Sequence, residues 1–367
     1  IFVEYLVTSG LASNKASSFT AVGTVAGLSS ANYTLTVASA ASGGAEIESV
    51  ASLKTNAPKL YQAQKRATTK EDYKAILLGE RSDIESITVY GGEDASPAVY
   101  GKVYIAVKPN GNTAFSAATK DAIKTSILKK TNVVTVTPEI VDPIFYYLLI
   151  DTTINYDPVT LLTNEDTLKS LISSTITNYF STSLQKFDNK FRYSKLAGVI
   201  DDTNSSIRNS KTSIRYQMQI APMTLAVAAT YTVEFNTTLA EGTLTSTAFT
   251  ASDGYTYTLF DDSLGVVKLI RSTYTSATDS IAVDNPVAYM TLVDGSQNLG
   301  TIDYTTGKVV LNNFTPYTIS DGKTYIKMIV TPGINNQDIT PLREQIITTD
   351  STDTAAINIT MVAETIV

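Results

Sequence analysis

GGAEIESVASLKTNAPKLYQAQKRATTKEDY, residues 43–73, decides how this chain is divided. Gly43-Gly44 supplies a turn, after which Ile47, Val50, Ala51 and Leu53 fall close to a helical stripe. Ala57-Pro58 predicts a stop, because proline disfavours helix at the residue before it. Arg66-Ala67-Thr68 leads into a second helix. Thr68 followed by Glu71 fits a capping box, the hydroxyl accepting from an orphan N–H while the carboxylate reaches back. Tyr73, Ile76 and Leu77 give that helix an apolar face, and Gly79 stands where a C-cap glycine belongs. The stretch reads as a joint: turn, helix, proline stop, capped helix.

Upstream, residues 1–42 are rich in Ser, Thr, Ala and Gly, with alternation at Tyr33, Leu35 and Val37. That pattern predicts short half-buried strands, the end of a β-module. The opening Ile1-Phe2-Val3-Glu4-Tyr5 lacks an initiator Met and a basic signal-peptide region. It reads like a strand under way, so a preceding part is expected.

Downstream the period changes. Ile87 and Val89 alternate, Gly91-Gly92 turns, and Val103, Ile105 and Val107 alternate before Pro109-Asn110-Gly111. Residues 117–130 read as a helix with Ile123 and Ile127 on one face, and Val133, Val134 and Val136 as a short strand. The strongest strand is 143–156, PIFYYLLIDTTINY, apolar on both faces, as in a sheet covered twice. Thr163 with Asp166 predicts a cap for an amphipathic helix carrying Leu168, Leu171, Ile172, Ile176, Tyr179 and Phe180. Burying such side chains contributes about 1.5–3 kcal/mol each before entropy. A short helix at 193–200 and a strand with Ile214, Tyr216, Met218 and Ile220 follow. Two strand–helix–strand passes within 102–221 predict a ferredoxin-like mixed sheet with helices.

After Pro222, Thr, Tyr, Val and Ile dominate, and turn signals recur at Glu241-Gly242, Asp253-Gly254, Asp294-Gly295, Thr306-Gly307 and Asp321-Gly322. This rhythm predicts a β-rich, sandwich-like region. Its clearest hairpin is 300–311, with Ile302 and Tyr304 facing Val309 and Leu311. Residues 332–347 read as irregular connection, and Ile357, Ile359 and Met361 as a last strand. The expected class is therefore multi-domain α+β: 1–42 the end of a β-module, 43–97 a helical connector, 98–221 an α+β domain, 222–350 a β-rich domain, and 351–367 a strand and tail.

Composition excludes much chemistry. The 367 residues contain no His, Cys or Trp. A disulfide framework, a thiolate nucleophile and every Ser-His or Cys-His dyad are thereby impossible. Carboxylate pairs and carboxylate-bound metals remain open. A net charge of −7 argues against a surface that tracks phosphates, and no run of 18 apolar residues suits a membrane span. No nucleic acid, membrane, metal or cofactor is expected. The one basic segment, Lys54, Lys59, Lys65, Arg66, Lys70 and Lys74, reads as a solvated helical face, with DNA binding the minor alternative.

Gly43-Gly44, Glu48, Ala57-Pro58, Arg66-Ala67-Thr68, Glu71-Asp72-Tyr73 and Gly101-Lys102-Val103 stand in an order that resembles the baseplate J-like family of contractile-tail bacteriophages. The likeness covers roughly residues 40–221. The second half, from the long strand to 194–200, is similar in outline. The proline-glycine-valine usual before the next strand is replaced by Ser205-Ser206-Ile207. The acidic β-rich region looks most like the wedge proteins of T-even-type myophages. The resemblance implies a virion structural protein of the tail baseplate wedge, made in the host cytoplasm and non-enzymatic. It also implies a homodimer that repeats around a ring with other baseplate wedge proteins.

Gly43, Gly44, Ala57, Pro58, Arg66, Asp72 and Tyr73 are accordingly expected to be structural, with no catalytic, cofactor or metal site. Asp72 complements a helix N-terminus, and Arg66 is expected to tie its loop to Asp72 or Glu85, so that Arg66→Ala lowers stability and assembly together. Glu93-Asp94, Asp201-Asp202 and Asp261-Asp262 are the carboxylate pairs open to glycosidase or metal chemistry. Each sits in an apparent turn, where Asp bonds the local backbone. Tyr, at 21 residues, suits both strands and interfaces. The rival reading is a carbohydrate-binding or glycan-cleaving tail-fibre or spike domain at 223–350, weakened by the absence of Trp.

Overall fold

The computed structural model describes the chain apart from residues 1–8, 21, 25, 26, 28, 30, 31, 33, 38, 39, 42, 43, 45–48, 96, 97, 222, 253, 272–298, 321, 334–336 and 365–367. The described residues fall into two compact units. The first lies within Ile1–Ile144 with Lys186–Asp188 and Arg343–Gln345; the second takes Phe145–Gln185, Asn189–Leu342 and Ile346–Val367. The fold is multi-domain α+β.

In the first unit, helices α1 (Val50–Ala63) and α2 (Lys70–Glu80) precede strand β1 (Ile84–Gly91). Strand β2 (Lys102–Pro109) pairs antiparallel with β1 and parallel with β3 (Thr137–Val141). The β2–β3 crossover is helical: α3 (Ala117–Ile123), a π-helical stretch Lys124–Leu128, and a last turn α4 (Lys129–Thr131). Leu77, Ile105, Ile123 and Leu128 centre a core between the helices and the three-stranded sheet.

In the second unit, β4 (Ile144–Tyr156) runs antiparallel to β5 (Ile207–Ile220), with α5 (Glu165–Tyr179) and α6 (Tyr193–Asp201) between them in sequence. Short strands follow: β6 (Ala229–Glu234), β7 (Thr245–Ser246), β8 (Phe249–Thr250), β9 (Thr256–Asp261) and β10 (Val266–Arg271). After them come β11 (Gly300–Asp303), β12 (Lys308–Phe314), β13 (Thr318–Ile319), β14 (Ile326–Val330), β15 (Gln345–Thr348) and β16 (Ile357–Ala363). One sheet has the order β13-β8-β9-β10-β11-β12-β6; the other has β15-β4-β5-β14-β7, with β16 parallel to β4. A single core joins both sheets to α5 and α6. Tyr146 stands edge-on to Tyr216 and Phe235 inside it.

The structure corrects several expectations. Pro58 lies inside α1 and does not stop it. The helix is solvent-exposed there, so the Lys54 carbonyl that loses its donor is open to water. Its end comes at Gln64, in the left-handed region at φ 47°. Gly79 is not a C-cap but lies within α2, where a Cβ would stand 3.0 Å from Leu60 Cδ2. Both expected N-caps shift by one residue, and only that of α2 is a capping box. Thr69 and Asp72 cap α2, and Asn164 caps α5 by accepting from the Thr167 N–H. In each case two capping-competent residues are adjacent, and sequence alone does not choose between them. Among the described residues of 1–42 there is no strand, and Gly10–Ser13 form a 3-10 turn; Tyr33 and residues 1–5 lie outside the described residues. Val133, Val134 and Val136 precede β3 and do not form it, and the strand Gln345–Thr348 overlaps the end of the expected connection.

The two strand–helix–strand passes do not share one ferredoxin-like sheet. The first closes β2 on β3, the second β4 on β5, in separate sheets. Contacts accordingly divide the chain at Ile144/Phe145, within the stretch read as one α+β domain over 98–221. The β-rich region does not close on itself either: β7 and β14 complete the sheet of β4 and β5. In the 300–311 hairpin Ile302 faces Val309 as expected, but Leu311 faces Gly300, and Tyr304 falls in the turn.

Candidate assembly surfaces

Of the motif residues, Ala57 and Pro58 lie on the exposed helix α1. Gly43 lies outside the described residues. Gly44 is held by Asn14, whose side chain both accepts from its N–H and donates to its carbonyl, each at 2.9 Å. Asp72 accepts from the Thr69 N–H at 2.9 Å and from the Thr68 hydroxyl at 3.0 Å. Burial would raise its pKa, but these bonds hold it below the usual value. Tyr73 is buried and donates to Asn132 Oδ1 at 2.7 Å, fixing α2 to the end of the crossover. Ala67 pairs with Asn132 through a parallel bridge. Arg66 departs from expectation. Glu85 pairs instead with Lys108, and among the described residues Arg66 has no ion pair and is exposed.

The structure places the carboxylate pairs in turns, at a helix end and in a loop clamp. Asp94 pairs with Lys70 at 3.3 Å on the surface. Asp201 and Asp202 end α6. Asp261 is buried and accepts from the N–H groups of Gly242 and Leu244 and from the Tyr304 hydroxyl, so it clamps a loop. Asp262 is held below the ordinary carboxylate value, chiefly by the Lys268 ammonium at 2.8 Å. Among the described residues no group of His, Cys, Asp or Glu could hold a metal ion, and no helix is long and apolar enough to cross a membrane.

Two surfaces stand out. The first is α1, in which only Ala63 is buried; Val50, Leu53 and Tyr61 are 67%, 47% and 78% exposed. The second is the outer edge of β16. Ile150 N–H donates to the Ala356 carbonyl and Glu364 N–H to the Tyr156 carbonyl, so the even-numbered residues of this parallel strand face β4. Residues 357, 359, 361 and 363 turn their N–H and C=O groups to the other side, where no strand pairs among the described residues. The strand, INITMVA, carries no charge or proline to blunt that edge. Beside it runs an open groove of about 760 Å³ between Ile357 and Ile359 and the hydroxyl-bearing face of α5, including Ser173, Ser174 and Thr177. The last strand was legible in the sequence; its parallel pairing and open edge were not.

Comparison with known proteins agrees with this partition. The model of the family described as baseplate structural protein gp6, C-terminal domain I, matches residues 69–141, and that of C-terminal domain III matches 144–218. Together they cover less than half of the chain, and the step between them falls beside the boundary between the two compact units. These matches support a baseplate wedge protein family and a structural protein of the phage tail baseplate, located in the virion. More particularly, the chain is 22% identical over 259 residues to the baseplate wedge protein gp6 of Enterobacteria phage T4. That alignment takes in 69% of this chain and 38% of the relative, so the chain corresponds to well under half of that protein. A solved structure of the anti-feeding prophage (AFP) baseplate, 6-fold symmetrised, aligns with 48% of this chain and 39% of its own, at 15% identity and a TM-score of 0.33. Similarity at that level carries no argument about this chain.

Proposed function

We propose that the chain is a non-enzymatic subunit of a phage tail baseplate wedge, of baseplate J-like type, that works by holding other chains in place. The observation that carries this reading is the succession of two baseplate-protein models on two adjoining compact units. Copies would pair into dimers and repeat as a ring with other baseplate proteins, as the resemblance implies. In this reading residues 43–97 act as a connector, and Gly43, Gly44, Ala57, Pro58, Arg66, Asp72 and Tyr73 supply geometry, not chemistry. The outer edge of β16, where no strand pairs among the described residues, suits the addition of a strand from a neighbouring baseplate protein.

A contractile baseplate must rearrange, and rigid-body rotation about loops near Gly91-Gly92 and Pro222 would allow it. Gly92 is buried, and a Cβ there would lie 1.8 Å from the Val99 carbonyl oxygen, which weighs against the first position. Pro222 lies outside the described residues. Superposition of two baseplate states without rotation at either loop would sink the idea.

Locating an epitope-tagged chain in purified tails by electron microscopy tests the main reading. Label confined to the baseplate end supports it, and label along the tube or fibres overturns it. The rival glycan reading predicts binding of the whole chain on a glycan array.

A further inference from the structure

The outer edge of β16 has the pattern of a strand that can pair with itself. Odd-numbered residues of Ile357–Ala363 turn their N–H and C=O groups away from β4, and no strand pairs there among the described residues. Such an edge is a template for another strand, and proteins usually blunt it with a charge, a proline or a bulge. INITMVA has neither charge nor proline, and its pairing with β4 runs from Ile357 to Ala363 without a register shift. Its side chains sort by face. Ile359 is buried and Ile357 and Met361 half-buried on one side, whereas Asn358, Thr360 and Val362 are exposed on the other.

Symmetry decides what fits. A two-fold axis through Thr360 sets position 357 against 363 of a second copy and 359 against 361. Odd residues then meet odd residues, so every outward N–H and C=O of the strand finds its complement in an antiparallel ladder. The even residues form the closer, non-hydrogen-bonded pairs: Thr360 opposes Thr360 on the axis, and Asn358 opposes Val362. Directly opposed threonines are a stabilising cross-strand pair. On the inner face Ile359 meets Met361 and Ile357 meets Ala363, apolar against apolar. Moving the axis to Ile359 or Met361 keeps odd against odd but leaves an end of the strand unmatched. The strand is therefore self-complementary in its main chain and on both faces at one register.

The surroundings admit the second copy. The groove beside Ile357 and Ile359 is walled by Ser170, Ser173, Ser174, Thr177 and Ser181 of α5 and the turn after it, all short and uncharged. Met361 and Ile359 of an added copy would enter there without displacing a long side chain. Glu364, exposed just past the strand, falls opposite position 356. It would stand about 27 Å from its own copy along the strand, beyond the Debye length at physiological salt, so like charges do not meet. We infer that two copies of this chain pair through antiparallel β16 strands about a two-fold axis at Thr360, joining their sheets into one. The contact is isologous, the same patch serving on both partners. It rests on the scaffold reading above and names a surface for its dimer.

The absence of cysteine makes the test direct, since a single introduced thiol has no other partner in the chain. Opposed non-hydrogen-bonded residues have Cα atoms about 4.5 Å apart, within reach of a disulfide. Thr360→Cys should therefore give a disulfide-linked dimer on mild oxidation. Asn358→Cys, exposed on the same face, would lie about 14 Å from its copy and should link at least about tenfold more slowly. Adding Val362→Cys to Asn358→Cys should restore the link, because 358 and 362 oppose each other. In a second arm, Thr360→Lys sets two ammoniums together on the axis and should weaken self-association in sedimentation at least about tenfold. Thr360→Val should leave it within about twofold. Equal linking at 358 and 360, or undiminished association of Thr360→Lys, overturns the pairing. So does an edge that proves to be filled by a strand of another protein. If the chain joins other baseplate proteins yet gives no cross-link at 360, the β16 surface fails and the scaffold reading stands. Cross-link with no binding to any baseplate protein gives the reverse.

Discussion

Helices α1 and α5 are nearly equal in length and both amphipathic, yet their fates are opposite. The 15 residues of α5 bury Leu168, Ile172, Ile176 and Tyr179 against the sheet of β4 and β5; the 14 residues of α1 bury one alanine. Sequence period reports that a helix has an apolar stripe. It does not report whether the cover comes from the same chain. In α5 the cover is intramolecular, and its polar back is small and hydroxyl-rich. In α1 the apolar Val50, Leu53 and Tyr61 are exposed, and the only charges on the helix, Lys54 and Lys59, lie in its middle.

The comparison can be broken by mutation. Ile172→Ala should destabilise the chain by about 2–5 kcal/mol in denaturant unfolding, the range for a fully buried large-to-small change. Leu53→Ala should stay within about 0.5 kcal/mol under conditions where the chain is monomeric. Comparable losses at both sites would mean that α1 is core after all.

A buried polar network in the second unit sets the next effect. Asp350 is 3% exposed and accepts from Gln217, Thr352 and Lys327. Burial alone would raise its pKa. The bonds from Lys327, Thr352 and Gln217 outweigh that and hold the carboxyl down at about 2 against 3.8 for the free group. A depressed folded-state pKa stabilises the fold above the unfolded value, so the contribution is complete above pH 3.8 and is lost as pH falls through about 2. It is worth about 2 kcal/mol. Acid unfolding of Asp350→Asn should lack that component, whereas changes on α1 should leave the acid profile unaltered.

Tyr146 gives a smaller effect of opposite sign. Its hydroxyl is buried with no hydrogen-bond partner among the described residues. Tyr146→Phe should therefore be neutral or raise stability by up to about 1 kcal/mol, read as a shift in unfolding midpoint. Smallest of all is Arg66→Ala. Because Arg66 is exposed, with no ion pair among the described residues, the change should move stability by less than about 0.5 kcal/mol. Loss of self-association at normal stability would mark it as an interface residue.

These contrasts explain what the sequence revealed. The β4 strand, the α5 stripe and the alternation of β5 were legible because each rests on a local period repeated without interruption. Pro58 misled because its cost depends on whether the bereaved carbonyl can reach water, which is a tertiary property. The caps of α2 and α5 were displaced by one residue because Thr68-Thr69 and Thr163-Asn164 each offer two competent neighbours. The boundary at Ile144/Phe145, the parallel pairing of β16 and its open edge depend on contacts distant in sequence, to which no local pattern points. Of the candidate surfaces, only the basic face of α1 was visible, and it was read as solvation.

The most direct test of the account is the molar mass of the chain in solution by light scattering, alone and mixed with purified baseplate wedge proteins. A scaffold built to hold neighbours should show a mass above the 39.4 kDa monomer with increasing concentration, and a larger defined complex with at least one wedge protein. A strict monomer at every concentration, unchanged by every wedge protein, would contradict it.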